Sequence, residues 1–192
     1  MQKKVLWLTE TAAMLALLIC LQWVGSFVPD QLTKQLVTGT FVNCVLAVTV
    51  LVVGMSSGIT VAVISPVFAF LLTIAPNLIT VVPIMIGNVC YVVLLRLLSR
   101  GYTTQRFWQL PAALTVAASA KFAVLYLLVV KIICGVASGS LLGKKVGETV
   151  LLAPPMLMKL PSMFTWPQLA TAFAGGILAL LIVPTLKKAL YR

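Results

Sequence analysis

The polar residues that a folded chain needs to cover a water-facing surface are missing from this sequence. Of its 192 residues, 61% are hydrophobic and only 9% carry a charge, and the mean hydropathy is +1.14. Soluble domains are about 45–50% apolar and about 25% charged. The chain is therefore read as an all-α integral membrane protein, a single transmembrane domain over residues 1–192. Each spanning helix needs roughly 20 mostly apolar residues, and six such stretches can be drawn. They run from about Val5 to Val28, Val37 to Val53, Ile59 to Ala75, Thr80 to Leu98, Leu110 to Ile133, and Pro167 to Leu186.

Charge placement orients these helices. Lys3, Lys4, Arg96, Arg100, Arg106, Lys187, Lys188 and Arg192 flank apolar runs and are not interleaved with aromatics. This is the pattern of cytoplasmic loops beside a lipid bilayer, so the net charge of +11 does not point to nucleic acid. Both termini are expected in the cytoplasm. The long connection from Cys134 to Trp166, between the fifth and sixth helices, is then expected outside. Lys3 and Lys4 ahead of an apolar stretch resemble a signal peptide, but the stretch is long and lacks a cleavage site, so it is read as a retained first helix.

What is absent narrows function further. The chain has no histidine and three carboxylates, Glu10, Asp30 and Glu148, far apart in sequence. General acid–base catalysis and metal ligation lack the groups they need, and no phosphate-binding GxxxxGK[ST] loop is present. Cys20, Cys44, Cys90 and Cys134 stand singly, with no CxxC pair. No enzyme, cofactor or metal site is expected.

The long outer connection is too apolar for open water. Pro154, Pro155, Pro161, Met156, Met158, Met163 and the run Val150 to Ala153 predict short helical or re-entrant pieces that fold back over the bundle as a lid. Gly135, Gly139, Gly143 and Gly147 recur at every fourth position. They form either a smooth helix face or the start of a glycine-rich loop.

Polar residues inside apolar helices are costly, and their positions mark candidate sites. Lys121 falls near the middle of the fifth helix, with no carboxylate at matching depth in another span. Asn43 and Asn88 sit at similar depth in the second and fourth helices, and Gln22 and Gln168 are placed to join them. Pro83 and Gly87 precede Asn88, where a kink would free backbone groups toward a cavity. Trp23 and Trp166 are candidates for the mouth of such a pocket. Lys121 by itself favours a solute with a carboxylate or other electron-rich group.

Ala12, Ala16 and Cys20 are spaced to stack along one side of the first helix. A stripe of small side chains lets another helix approach closely, either within the bundle or from a partner. Ala170 with Ala174, and Gly175 with Ala179, form similar patches on the last helix. Coupled transporters usually place carboxylates in the membrane interior, and only Glu10 is a candidate here. Energy for any solute movement is thus expected from a partner.

The alanine motif Ala12-Ala13-Met14-Leu15-Ala16 joins the closing segment Trp166-Pro167-Gln168-Leu169, Gly175-Gly176 and Pro184-Thr185-Leu186-Lys187-Lys188 in a six-span chain. Together they resemble the substrate-binding S component of energy-coupling factor (ECF) transporters, the micronutrient importers of prokaryotic cell membranes. The resemblance implies capture of a vitamin or related micronutrient, with no chemistry on it. It also implies docking of the first helix, through Ala12 and Ala16, on a transmembrane coupling subunit driven by two cytoplasmic ATPases. Ligand sites of that family lie toward the outer half, which implies substrate-binding roles for Asn88, Lys121 and Gln168, and with less support Asn43. The alternative is a structural or assembly subunit of a membrane complex, in which these polar residues only lock helices together.

Overall fold

The protein is described by a computed structural model over residues 2–99, 109–146 and 149–190. Lys3 lies where only the backbone is described, and Arg100, Arg106, Gly147, Glu148 and Arg192 lie outside the described residues. The chain is almost wholly helical. Its long helices are α1 (Gln2–Ser26), α2 (Gln31–Val52), α3 (Met55–Leu71), α4 (Leu78–Leu98), α5 (Gln109–Leu125) and α8 (Trp166–Leu190). Helix α5 continues without a break as a π-helical stretch, Tyr126–Val136. Between that stretch and α8 lie a single turn α6 (Ser138–Leu141), the strands β1 (Lys145–Val146) and β2 (Thr149–Val150), and α7 (Pro154–Met163).

Five helices are long and apolar enough to cross a membrane: Lys4–Ser26, Gln31–Val52, Leu78–Leu98, Gln109–Val136 and Trp166–Ala189. The remaining apolar helix, α3, has 17 residues. At about 1.5 Å per residue it falls a little short of a hydrocarbon core of about 30 Å.

Helix α2 is the axis of the bundle and packs on α8, α1, α3 and α4. Every residue from Asn43 to Val52 is buried, and Leu46 and Val50 meet Val61 of α3, Tyr91 and Leu95 of α4, Ala117 of α5 and Ala179 of α8 in one core. Glycines permit the closest approaches. A Cβ on Gly175 would stand 2.5 Å from the Thr40 carbonyl and 2.7 Å from both Asn43 Cβ and Cys44 N. Helices α2 and α8 therefore meet backbone to backbone at the level of Asn43. On α4, a Cβ on Gly87 would stand 2.9 Å from Leu125 Cγ, which draws α4 against α5.

Two helix starts differ from the sequence expectation. The polar stretch Asp30 to Leu36 is the cap and first turns of α2, not a connection. Asp30 Oδ2 accepts from Thr33 Oγ1 at 2.6 Å and from Thr33 N at 2.7 Å, satisfying amides that a helix start leaves unpaired. Those bonds hold the Asp30 carboxyl below the usual aspartate range. Helix α3 begins a turn early, at Met55, because Gly54 alone reverses the chain with φ 137°. Gly58 lies inside the helix, where a Cβ would press on Val92 and Val50. At Pro83, α4 runs on as one continuous helix.

The segment after the π-helix forms short pieces that pack against the π-helix and one end of the bundle. Pro154 and Pro155 open α7, where a missing N–H costs nothing. Leu160, Phe164 and Leu152 bury against Leu125 and Val129 in a second core. Asn77 secures the arrangement. Its Oδ1 caps α4 by accepting from Leu78 N at 2.7 Å, and its Nδ2 donates to the carbonyls of Val150 and Leu151. The described glycines of the series form no helix face: Gly135 lies in the last turn of the π-helix, Gly139 lies in α6 and Gly143 takes φ 73° in a turn.

Candidate functional site

A cavity of about 100 Å³ lies inside the bundle, on the side toward α7. All six long helices contribute to its wall. The four residues marked by the sequence, Asn43, Asn88, Lys121 and Gln168, all line it. Gln22 lines it as well, together with Gln35 and Thr38 of α2 and Ser65 and Pro66 of α3. Among the described residues, no carboxylate belongs to the lining.

Lys121 is 3% exposed and its Nζ donates to Asn43 Oδ1 at 2.5 Å and to Asn88 Oδ1 at 2.7 Å. It also lies 5.6 Å from the centre of the Tyr91 ring, whose face attracts a cation. The ammonium is thus solvated by two amide dipoles and an aromatic ring, all uncharged. Asn43 is fixed in turn by donating from Nδ2 to the Gly39 carbonyl at 2.8 Å, with Thr171 Oγ1 at 3.5 Å. One cluster therefore ties α5 to α2 and α4.

Several buried atoms on the lining side chains have no hydrogen-bond partner among the described residues. They are Gln22 Oε1, Gln35 Oε1, Thr38 Oγ1, Ser65 Oγ and Asn88 Nδ2. Buried polar atoms are nearly always paired, and each unpaired one calls for an explanation. All five belong to side chains that line the cavity, although Thr38 Oγ1 itself is turned onto Gly25 of α1, where a Cβ would collide with it.

Larger spaces adjoin it at the α7 end. One of about 610 Å³ is lined by Phe70, Asn77, Met156, Lys159, Leu160 and Met163 among others, and shares Ala75 with the polar cavity. Another, of about 390 Å³, is bordered by Asp30, Gln35, Lys159 and Trp166. Trp166 thus stands beside the groove at the α7 end and is absent from the lining of the polar cavity. Trp23 is exposed and packs edge-on against Phe27 at 4.9 Å.

The small-residue stripe of α1 faces away from the bundle. Ala12, Ala16 and Cys20 are exposed, whereas Thr11, Leu18 and Gln22 turn inward. Thr11 Oγ1 donates to Ser57 Oγ at 2.7 Å and anchors α1 on α3. On α8 the patches divide: Gly175 and Ala179 pack inside, and Ala170 and Ala174 face out.

Sequence inspection missed Gln35, Thr38, Ser65 and Tyr91. A signal existed for two of them. Gln35 stands eight positions before Asn43, and Tyr91 three after Asn88, spacings that share a helix face. Among the described residues, no three His, Cys, Asp or Glu side chains come together to hold a metal.

The fold and site define an apolar helical bundle with a small cavity whose wall includes several buried polar side chains. Comparison of the chain with family models, curated proteins and solved structures returns no match.

Proposed function

We propose that this protein is a membrane-embedded substrate-capture subunit, the S component of an ECF-type importer for a vitamin or related micronutrient. The observation that carries this reading is the set of five unpartnered buried polar atoms on side chains around one cavity. A bundle held only by internal contacts gains nothing from leaving them unpaired. In this reading α3 completes six spans, both termini are cytoplasmic, and the α7 end faces outward with α7 as the cover of the site. The exposed Ala12 and Ala16 are the docking stripe for a transmembrane coupling subunit, through which two cytoplasmic ATPases supply the energy. The bilayer belongs to a prokaryotic cell membrane, and the protein performs no chemistry on its cargo.

Purified protein, denatured and its released small molecules identified by mass spectrometry, tests the reading. A stoichiometric micronutrient is the expected result. No released molecule, and no rise in unfolding temperature across a panel of vitamins, would overturn it.

A second reading has one observation in its favour. Lys121, Asn43 and Asn88 satisfy one another across three helices, as a cluster that only locks helices would. In an assembly subunit of that kind the same panel gives no shift, and the protein is recovered only within a larger complex.

A further inference from the structure

We infer that the ligand of the polar cavity is neutral there and presents an amide-like edge, N–H donors beside a carbonyl acceptor, as in a carboxamide, lactam or ureide. The inference rests on the capture reading and adds the chemistry of what is captured. It starts from partners able to act in only one sense. Gln22 Nε2 donates to the Ser65 carbonyl at 3.4 Å and Gln35 Nε2 to the Met163 carbonyl. A carbonyl only accepts, so in both side chains the amide oxygen is the end left over. An ammonium only donates, so the oxygens of Asn43 and Asn88 face Lys121 and the Asn88 amide N–H is left over.

The unmet demand is therefore two carbonyl acceptors, one amide donor and the Ser65 hydroxyl, which serves either way. Each class of ligand can be weighed against it. A carboxylate offers only acceptors and leaves both glutamine oxygens without a hydrogen. Lys121 does not require one, since two amide oxygens and the Tyr91 ring already surround its charge. An ammonium ligand would face Lys121 in a wall that holds no carboxylate among the described residues. An amide or ureide edge supplies hydrogens to Gln22 and Gln35 and an oxygen to Asn88. This departs from the carboxylate-bearing solute that Lys121 alone suggests.

Three matched pyridines test it: nicotinamide, nicotinate and 3-(aminomethyl)pyridine, with 2-imidazolidinone as a small ureide. Each is titrated at millimolar concentration against the full chain in nanodiscs, reading the midpoint of thermal unfolding. Nicotinamide and 2-imidazolidinone are expected to raise the midpoint in a dose-dependent way, and the carboxylate and amine are not. Gln22→Met should weaken the nicotinamide response about tenfold, the equivalent of one lost hydrogen bond. Ser65→Ala, a smaller change, should weaken it in the same direction. A midpoint raised as much by nicotinate or the amine, or by no probe, overturns the inference. The two levels separate on the molecule released from the purified protein. A released anion or cation sinks the amide edge and leaves capture standing, whereas no released molecule and no shift sink both.

Discussion

Lys121 Nζ lies 2.5 Å from Asn43 Oδ1, a contact between α5 and α2 across 78 positions of sequence. Its second bond, to Asn88 Oδ1, makes the lysine the point where three helices meet. Hydrogen bonds to charged groups contribute about 1.5–3 kcal/mol. Asn43→Leu should therefore destabilise the bundle by about 2 kcal/mol, because it leaves a buried ammonium one acceptor short. Adding Lys121→Met to Asn43→Leu should restore part of that loss, since it removes the charge needing the acceptor. Unfolding of both single variants and the double variant in detergent measures the coupling. Strictly additive losses would show that the contact contributes nothing.

Lys121→Met alone is expected to keep the fold, because relief of a buried charge offsets the two amide oxygens left unpaired. Ligand affinity should still fall at least tenfold, as Asn43 and Asn88 lose the group that orients them. A variant that melts early yet binds normally would mark the lysine as a structural clip.

At the α2–α8 crossing, Gly175→Ala places a methyl 2.5 Å from the Thr40 carbonyl, a main-chain atom that cannot rotate away. Overpacking of this kind costs about 1–3 kcal/mol, and by shifting Asn43 it should weaken ligand retention as well. Gly139→Ala is the control, since a Cβ there meets nothing within 4 Å. Its unfolding midpoint should match that of the parent chain.

Under the proposed capture function, leucine at Ala12 and Ala16 should abolish association with the coupling subunit while leaving ligand binding intact, because both positions face outward. Co-purification of the complex and a binding titration on the isolated chain report the two properties separately. An intact complex would place the interface elsewhere.

Asn77→Ala removes the cap of α4 and the two bonds that hold Val150 and Leu151. Hydrogen exchange at residues 150–152 should quicken and ligand release accelerate, with exchange in the core of α2 unchanged. Equal exchange at residues 150–152 in both proteins would mean that the buried Leu152, Leu160 and Phe164 hold the cover unaided.

The buried polar centre was readable from sequence because an apolar helix makes an amide or ammonium conspicuous, as at Asn43, Asn88 and Lys121. Hydroxyls are not conspicuous in that way. A threonine or serine in a helix can bond its own preceding turn, as Thr49 Oγ1 does to the Val45 carbonyl, so Thr38 and Ser65 carried no mark of their place in the wall. Gln35 was hidden differently. Counting apolar residues starts α2 where the chain turns hydrophobic, whereas the helix starts where Asp30 caps it. The displacement of α3 has the same origin: Gly58 reads as a turn residue but serves as a contact surface for Val92 and Val50. Which way the α1 stripe faces was equally beyond the sequence, since spacing defines a face but not its neighbour.

Surrounding Lys121 with neutral groups has an electrical consequence. In its ammonium form Lys121 would carry a unit of charge that none of the side chains it contacts among the described residues cancels. Any tilting of the bundle that carries Lys121 along the membrane normal then moves that charge through the voltage, at about 2.3 kcal/mol per ~100 mV for a full crossing. With a neutral cargo aboard, the motion would be electrogenic, and its rate would follow the membrane potential.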